Sequence, residues 1–413
     1  MDQENTAVRQ PGPYTTDERQ VPPFTLPDPL RKNDGSRVSC AYEWMNFQRP
    51  RILDLFKKEE YGEILPRPDM MSFKVLSIRN DALGNTAVRK EIQLEFAMRS
   101  GKKFSFVMLL YLPKNTAGPV PAFLGLNFKG NHNTTDEEDV MPTGYVKPEK
   151  LAVEDRAVQI SRWCFPEVIR RGYASATICY HDIYPDKTGS VPNSVFRLFY
   201  DEPDYPAIGR KHSVIGAWAW GLSRALDYLE SDPAVDAAHV AVHGHSRLGK
   251  TSLWAGATDQ RFAMVISNDS GCGGGALHKR KFGENLSQHF EHHLECGVPV
   301  WFVDACGKYI WHEEEMPIDQ HELLALVAPR PLCIGTATLD IHADPYSEFL
   351  SCQNASPVYR LFGSTGFTGT EMPKPDTWIT GDINFHYRTG KHDHTPWDWD
   401  RYLDAADTYL KAR

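Results

Sequence analysis

The stretch Gly244-His245-Ser246-Arg247-Leu248-Gly249-Lys250 decides the fold of this chain. It follows the apolar run Val240-Ala241-Val242 and leads into a segment compatible with a helix. A strand, a sharp glycine turn, one serine and then a helix are typical of a nucleophile elbow, which lifts the serine hydroxyl above the edge of a parallel sheet. The pattern departs from Gly-x-Ser-x-Gly, because Leu248 takes the place of the second glycine and Gly249 follows one residue later. A buried strand end with an uninvolved serine gives the same short match, so the neighbouring residues must decide.

Length and composition describe an ordinary globular protein. The 413 residues are 41% hydrophobic and 24% charged, which suffices for one large domain or two medium ones. The net charge of −9 and the lack of a basic stretch argue against nucleic acid or an anionic membrane as a partner. No apolar run is long enough for a spanning helix, and the first residues predict no signal peptide in the sequence as given. The eight cysteines include no Cys-x-x-Cys pair, which excludes the common zinc and redox spacings and leaves disulfides open.

The order of patterns along the chain indicates the fold class. Proline and polar residues over 1–36 predict an extended arm, followed by a single catalytic domain over 37–413. In that domain, short apolar strands alternate with helices, which indicates a mostly parallel sheet covered on both faces. We predict an α/β-hydrolase fold, a three-layer sandwich with long insertions at 129–170 and 270–320. The predicted strands are 103–113, 120–128, 173–179, 239–243, 262–267 and 331–337, and the predicted helices are 44–61, 215–230 and 397–410.

A serine nucleophile needs a base and an acid that orients the base. In this fold both follow the serine in the chain, each in a loop after a strand. Asp340 stands just past the strand at 331–337, and a polar loop before the last helix contains His392 and His394. Asp340 could instead be a turn or helix-capping residue, although Asp344, next to a proline, fits a cap better.

A second carboxylate, Asp269, competes for the acid role because it follows the strand at 262–267. Its alternative role is a loop aspartate that bonds backbone amides among glycines. The glycine run after it lacks the Gly-x-Gly-x-x-Gly spacing of a dinucleotide site, so no cofactor is predicted. His289, His292 and His293 share one possible helical face, but without a His-Glu-x-x-His order we predict no metal.

These residues give the chain a resemblance to the glucuronoyl esterases of carbohydrate esterase family 15, of the bacterial kind. The similarity runs from about residue 100 to the C-terminus. The serine-arginine-x-glycine-lysine elbow is fairly specific to this family and accounts for the displaced glycine. The segments that carry the resemblance are Leu110-Tyr111-Leu112-Pro113, 125–132, 244–250, 268–274, Ala343-Asp344-Pro345 and Gly390-Lys391-His392-Asp393.

The resemblance implies a role for each of five residues. Ser246 is expected as the nucleophile and His392, rather than His394, as the base. Arg247 is expected to contribute to the oxyanion hole with its backbone N–H and its guanidinium. Lys250 and Glu284 are expected to bind sugar hydroxyls.

The family carries its acid at one or both of two places, which match Asp269 and Asp340. The residue at the first place is usually glutamate. Because aspartate is one methylene shorter, it is in question whether Asp269 reaches His392, and we favour Asp340 as the acid. His342 stands where bacterial members commonly have a substrate-packing tryptophan, and it offers less stacking area. Trp301 is a further candidate for stacking on a sugar.

The implied activity is hydrolysis of the ester between a (4-O-methyl)glucuronate on xylan and an alcohol such as a lignin benzyl alcohol. The implied enzyme needs neither cofactor nor metal, is expected to be a monomer, and is secreted or periplasmic by resemblance. One alternative is an acetyl-xylan or other carboxyl esterase on the same fold, which would not need the cationic pair Arg247 and Lys250. The other alternative is a non-catalytic carbohydrate-binding relative, against which the intact serine, histidine and acid candidates argue.

Overall fold

A single sheet of ten strands forms the centre of the computed structural model, which describes residues 15–144, 156–296 and 301–411. The strand order across the sheet is β1-β2-β3-β5-β4-β6-β7-β8-β10-β9. The strands are β1 (Met70–Asp81), β2 (Ala87–Ala97), β3 (Lys103–Pro113), β4 (Val120–Asn127), β5 (Ala174–Cys179), β6 (Val235–His245), β7 (Met264–Asn268), β8 (Leu332–Ala337), β9 (Thr377–Ile379) and β10 (Ile383–Arg388).

The middle of the sheet is parallel, as the sequence predicts. The six strands β4 to β8 and β10 run in one direction, whereas β1, β2, β3 and β9 pair antiparallel with their neighbours. All six predicted strands are present, and the four that the sequence analysis does not identify are β1, β2, β9 and β10. Since the carboxyl ends of parallel strands share one edge of the sheet, loops from distant parts of the chain meet there.

Helices cover both faces of this sheet. The described α-helices of six residues or more are α1 (Arg49–Phe56), α2 (Phe165–Arg170), α3 (Val214–Leu229), α4 (Arg247–Thr258), α5 (Leu286–Cys296), α6 (Gln320–Ala325), α7 (Pro345–Arg360) and α8 (Pro396–Tyr409). Leu124 of β4 packs in one core cluster with Leu253 of α4. Its neighbour Phe123 packs on the opposite face, in a cluster with Trp399 and Leu403 of α8. The predicted three-layer arrangement is therefore confirmed.

The predicted helix over 44–61 and the predicted arm both lie outside the sheet. The predicted helix over 44–61 is a continuous helical segment, in which α1 lies between two π-helical turns, Trp44–Gln48 and Lys57–Tyr61. Residues of the predicted arm lie along the domain, because the carbonyl of Pro27 accepts a hydrogen bond from His321 at 2.8 Å and Leu30 is buried.

No helix in the described ranges is long and apolar enough to cross a membrane. The cysteines whose side chains are described are free thiols.

Candidate active site

Ser246 stands in a sharp turn between β6 and α4. Its backbone has φ 58° and ψ −131°, a conformation that costs free energy and is often found at functional turns. The turn requires glycine at position 244, because a Cβ there would approach the carbonyl oxygen of Leu248 to 1.9 Å. At Gly249, a Cβ would lie 3.0 Å from Oγ of Ser267 in β7, so the displaced glycine of the motif permits close packing of α4 on the sheet. The local structure is that of a nucleophile elbow.

Asp340 and His392 come together in the loops after β8 and β10. The Nδ1–H of His392 donates to Oδ2 of Asp340 at 2.6 Å. The two loops are joined, since the N–H of Leu339 donates to the carbonyl of Gly390 at 2.8 Å and the N–H of Gly390 donates to Oγ1 of Thr338 at 3.1 Å. A hydrogen bond at Nδ1 leaves the lone pair of the neutral imidazole on Nε2, which is the tautomer that a general base requires.

Asp269 lies beside this pair but is bonded to other groups. Its Oδ2 accepts the N–H of Asp393 at 3.2 Å and a longer contact from Arg388 at 3.5 Å. One oxygen of each aspartate and one ring nitrogen of His392 all lie within 4.8 Å of one another. Burial raises the pKa of Asp269 well above its usual value, and the negative charge of Asp340 raises it further. Two carboxylates and an imidazole can chelate a cation, but in this structure Nδ1 of His392 is bonded to Oδ2 of Asp340.

The guanidinium of Arg247 is held next to the elbow. Its Nη1 lies 2.5 Å from Oδ2 of Asp186, and its Cζ lies 4.4 Å from the ring centroid of Trp301. Nε1 of Trp301 donates to the other carboxylate oxygen of Asp186 at 2.9 Å. The backbone N–H of Arg247 is the first of α4, where the amide groups and the helix dipole favour negative charge. Both donors could therefore stabilise an oxyanion formed at Ser246.

Lys250, Glu284 and His289 form a polar wall of the cavity that contains Ser246. Nζ of the buried Lys250 donates to the carbonyls of Ser270 at 2.7 Å and Cys272 at 2.6 Å, and lies 3.7 Å from Oε2 of Glu284. Oε1 of Glu284 lies 2.9 Å from Nδ1 of His289. Burial favours a higher pKa for Glu284, but His289 and Lys250 outweigh it and hold that pKa well below its usual value. Glu284 is therefore an ionised acceptor at neutral pH.

The nine residues that the sequence analysis favours for catalysis or substrate binding all line one cavity of about 270 Å³. They are Ser246, Arg247, Lys250, Asp269, Glu284, Trp301, Asp340, His342 and His392, and the cavity walls also include Ser270, Gly271, His289 and Ala343. The alternative base His394 lies outside the cavity lining, buried against Trp399 with ring centroids 5.1 Å apart, and burial lowers its pKa to about 4. Asp344, predicted as a helix cap, accepts the N–H of Ser347 at the start of α7.

The sequence analysis misses two residues of this site, Asp186 and His289. Asp186 follows β5 at the same edge of the sheet as Asp269 and Asp340, so the rule that selects those aspartates could also have selected it. His289 is considered there only as a metal ligand together with His292 and His293, whose side chains lie outside the described residues. The structure instead gives His289 the carboxylate of Glu284 as its partner.

Comparisons with known proteins identify the family of the chain. The family model for fungal glucuronyl esterases matches residues 170–363. A carbohydrate esterase of unknown prokaryotic origin is 41% identical over 414 residues, which cover 97% of this chain and 93% of that protein. A 4-O-methyl-glucuronoyl methylesterase of Schizophyllum commune is 30% identical, over 82% of this chain and 74% of that protein.

Solved structures show the same similarity. A glucuronoyl esterase from Solibacter usitatus is 38% identical and superposes with a TM-score of 0.87, over 95% of this chain and 100% of that one. An esterase of carbohydrate esterase family 15 from a marine bacterial metagenome is also 38% identical, with a TM-score of 0.86 over 96% of this chain and 100% of that one. The matches extend over nearly the whole chain, well beyond the elbow. The chain therefore belongs to the glucuronoyl esterases of carbohydrate esterase family 15, and it is an esterase with the α/β-hydrolase fold.

Proposed function

We propose that this esterase hydrolyses esters of (4-O-methyl)glucuronic acid on xylan, including ester links between xylan and lignin, through an acyl-enzyme on Ser246. The observation that carries the proposal is the polar wall of Lys250, Glu284 and His289 beside the elbow. An acetyl group has no hydroxyls for such a wall to bind, whereas a uronic acid has several. The names of the relatives, which include 4-O-methyl-glucuronoyl methylesterases, support the same substrate class.

The side chains of the cavity account for each step of the hydrolysis. His392 takes the proton of Ser246 Oγ while that oxygen attacks the ester carbonyl carbon, and Asp340 stabilises the imidazolium. The carbonyl oxygen becomes an oxyanion, for which the N–H and guanidinium of Arg247 are the donors. Collapse of this intermediate expels the alcohol, which takes the proton from His392. Water then attacks the carbonyl carbon of the glucuronoyl ester of Ser246 while His392 takes a proton from it. The bond from that carbon to Oγ breaks, His392 returns the proton to Oγ, and the glucuronate is released.

In this proposal, Lys250 and Glu284 bind the sugar. Two of the three ammonium hydrogens of Lys250 are used by backbone carbonyls, which leaves one for Glu284 or for a substrate hydroxyl. The ionised Glu284 can accept a hydroxyl hydrogen. Trp301 is only 5% exposed and is covered by the guanidinium of Arg247, so we assign its main contribution to positioning that arginine. His342 is exposed at the mouth of the cavity, where it can contact the substrate.

A comparison of benzyl glucuronate with 4-nitrophenyl acetate tests this proposal. We expect the higher kcat/KM for the glucuronate ester, and a loss on the order of 10⁴-fold in Ser246→Ala with an unchanged fold. Ser72→Ala is a matched control, because Ser72 is exposed on β1 and does not line the cavity. A strong preference for the acetate would favour an acetyl esterase. Absence of any esterase activity would favour a non-catalytic carbohydrate-binding role. The monomeric state and the secreted or periplasmic location stay predictions.

A further inference from the structure

A second cavity, of about 150 Å³, lies between α8 and the hairpin of β9 and β10, and the hydrolysis described above does not use it. Among the described residues, none lines both this cavity and the catalytic one. Cys333 of β8 and Asn384 of β10 stand near the amino ends of their strands, whereas the catalytic loops follow the carboxyl ends. The cavity is therefore separate from the catalytic one, on the face of the sheet that α8 covers.

One wall of this cavity is the indole ring of Trp378 in β9, the last strand at that edge of the sheet. Trp378 is 47% exposed, although tryptophan is usually well buried. The guanidinium of Arg401 lies over the ring, with its Cζ 4.1 Å from the centroid, and Trp397 meets the ring edge-on with centroids 6.2 Å apart. These two contacts hold the ring in place, so a ligand that stacks on its exposed surface costs little conformational entropy.

The polar groups that line the cavity make long hydrogen bonds within the protein. The side-chain amide of Asn384 donates to the carbonyl of Leu332 and accepts the N–H of Gly381, each at 3.4 Å. Nη2 of Arg401 donates to Oδ2 of Asp404 at 3.3 Å. All three distances exceed the upper end, about 3.2 Å, of the usual range for an N–H donor and an oxygen acceptor. A ligand with several hydroxyl groups can therefore improve the hydrogen bonding of these side chains, because each hydroxyl both donates and accepts.

The balance of charge in the cavity favours a neutral ligand. The guanidinium of Arg401 and the carboxylate of Asp404 both line the cavity and offset one another. Nε2 of His386 lies 2.8 Å from Oδ1 of Asp398, so any positive charge on this ring is also paired. Burial raises the pKa of Tyr409 to about 12, so its phenol is a neutral hydroxyl at physiological pH. The cavity thus lacks the unbalanced charge that a phosphate or a carboxylate ligand would need.

We propose that this cavity binds one pyranose unit of the xylan main chain, as a second carbohydrate site outside the catalytic cavity. The proposal rests on the proposed function, which supplies xylan as the polymer. The cavity has room for about five water molecules at roughly 30 Å³ each, which suits a single sugar ring. The C–H face of a pyranose can stack on Trp378 while its hydroxyls reach Asn384 and Asp404. A chain held here raises the effective concentration of its esters at Ser246.

The test is binding of xylotetraose, a neutral fragment without ester or glucuronate, measured by titration in saturation-transfer NMR. We expect Trp378→Ala to weaken binding about fivefold or more, because the sugar loses its apolar contact. Thr408→Trp should weaken it as much by filling the cavity, and Thr408 is exposed on α8, so this variant removes no packed side chain. Tyr42→Ala is the matched control, because Tyr42 is a 67% exposed aromatic residue that does not line the cavity. Equal binding by the wild type and both cavity variants would overturn the proposal, and so would binding of cellotetraose alone.

Kinetic measurements separate this proposal from the proposed function. On benzyl glucuronate, which carries no xylan chain, both cavity variants should keep the wild-type kcat/KM. On methyl-esterified glucuronoxylan, both should raise KM about fivefold with an unchanged kcat. If the wild type hydrolyses neither ester but shows the expected pattern of xylotetraose binding, the proposed function fails and the second carbohydrate site remains. If it hydrolyses benzyl glucuronate and does not bind xylotetraose, the second site fails alone.

Discussion

Replacing Asp340 with asparagine should slow hydrolysis of benzyl glucuronate about 10²-fold to 10³-fold in kcat. The 2.6 Å hydrogen bond joins the carboxylate of Asp340 to the ring of His392, which becomes positively charged in the proposed mechanism. Asparagine keeps the shape but removes the charge, and it can bind the wrong histidine tautomer, which costs up to about 10⁴-fold when nothing replaces the carboxylate. We expect a smaller loss because a second carboxylate lies within 4.8 Å.

That second carboxylate belongs to Asp269. The negative charge of Asp340 is one cause of its raised pKa, so removing this charge moves the pKa of Asp269 back toward its usual value and favours its ionised form. The ionised Asp269 can then stabilise the imidazolium, although it stays tied to the N–H of Asp393. Asp269→Asn alone should cost less than about tenfold, and the double variant should approach the full loss of about 10⁴-fold.

The assay is kcat on benzyl glucuronate at neutral pH, with circular dichroism and thermal unfolding to verify the fold of each variant. Asp236→Asn is the matched control, because Asp236 forms a partly buried hydrogen bond of 2.7 Å with His239 at the end of β6 that lies away from Ser246. A larger loss in Asp269→Asn than in Asp340→Asn would refute the assignment of Asp340 as the acid. A double variant no slower than Asp340→Asn would refute the backup role of Asp269.

Three further predictions follow from the site and its surroundings. Lys250→Ala should lower kcat/KM for benzyl glucuronate at least about tenfold more than for 4-nitrophenyl acetate, since the proposed function assigns the lysine to the sugar; equal losses would assign it to the fold or the oxyanion. Asp186→Asn should lower kcat about tenfold on both esters, because the guanidinium of Arg247 loses its charged partner, and an unchanged kcat would contradict this role. Burial raises the pKa of Glu348 to about 8. Between the unfolded-state pKa of about 4.3 and this folded-state value, the folded protein holds a proton that the unfolded chain has lost, so stability falls as the pH rises through that window. Glu348→Gln should therefore lose less stability than the wild type between pH 5.5 and 8.5, by on the order of 3 kcal/mol in urea unfolding. Equal slopes for the two proteins would show that Glu348 is ionised in the folded state.

Strands that are buried on both faces could be identified from the sequence. Strands that combine buried positions with exposed or polar ones could not. The predicted strands, such as 262–267, are largely apolar because helices cover both of their faces. β1 is an edge strand with much exposed surface, and β2 alternates buried with half-buried positions over most of its length, so neither presents such a run. β10 is short and carries Asn384, His386 and Arg388, whose side chains bond to the carbonyl of Leu332 or the carboxylate of Asp398 in other segments.

The sequence by itself determined the elbow and the candidates around it. The strand, the glycine turn, the serine and the helix all lie within a few consecutive residues, so local sterics fix their geometry. The order of strands and loops then limited the acid and the base to a few residues at one edge of the sheet. Those predictions do not depend on the distances between segments that are far apart in the sequence.

Only the tertiary structure decided which of these residues bond to one another. Asp340 and Asp269 both follow parallel strands, and their sequence positions do not reveal that one bonds the ring of His392 while the other bonds the N–H of Asp393. The partnership of Arg247 with Asp186 spans 61 residues of sequence and depends on the packing of β5 and β6 on either side of β4. Hydrogen bonds act over about 3 Å, and such distances between loops are set by the packing of the whole sheet and its helices rather than by any local pattern.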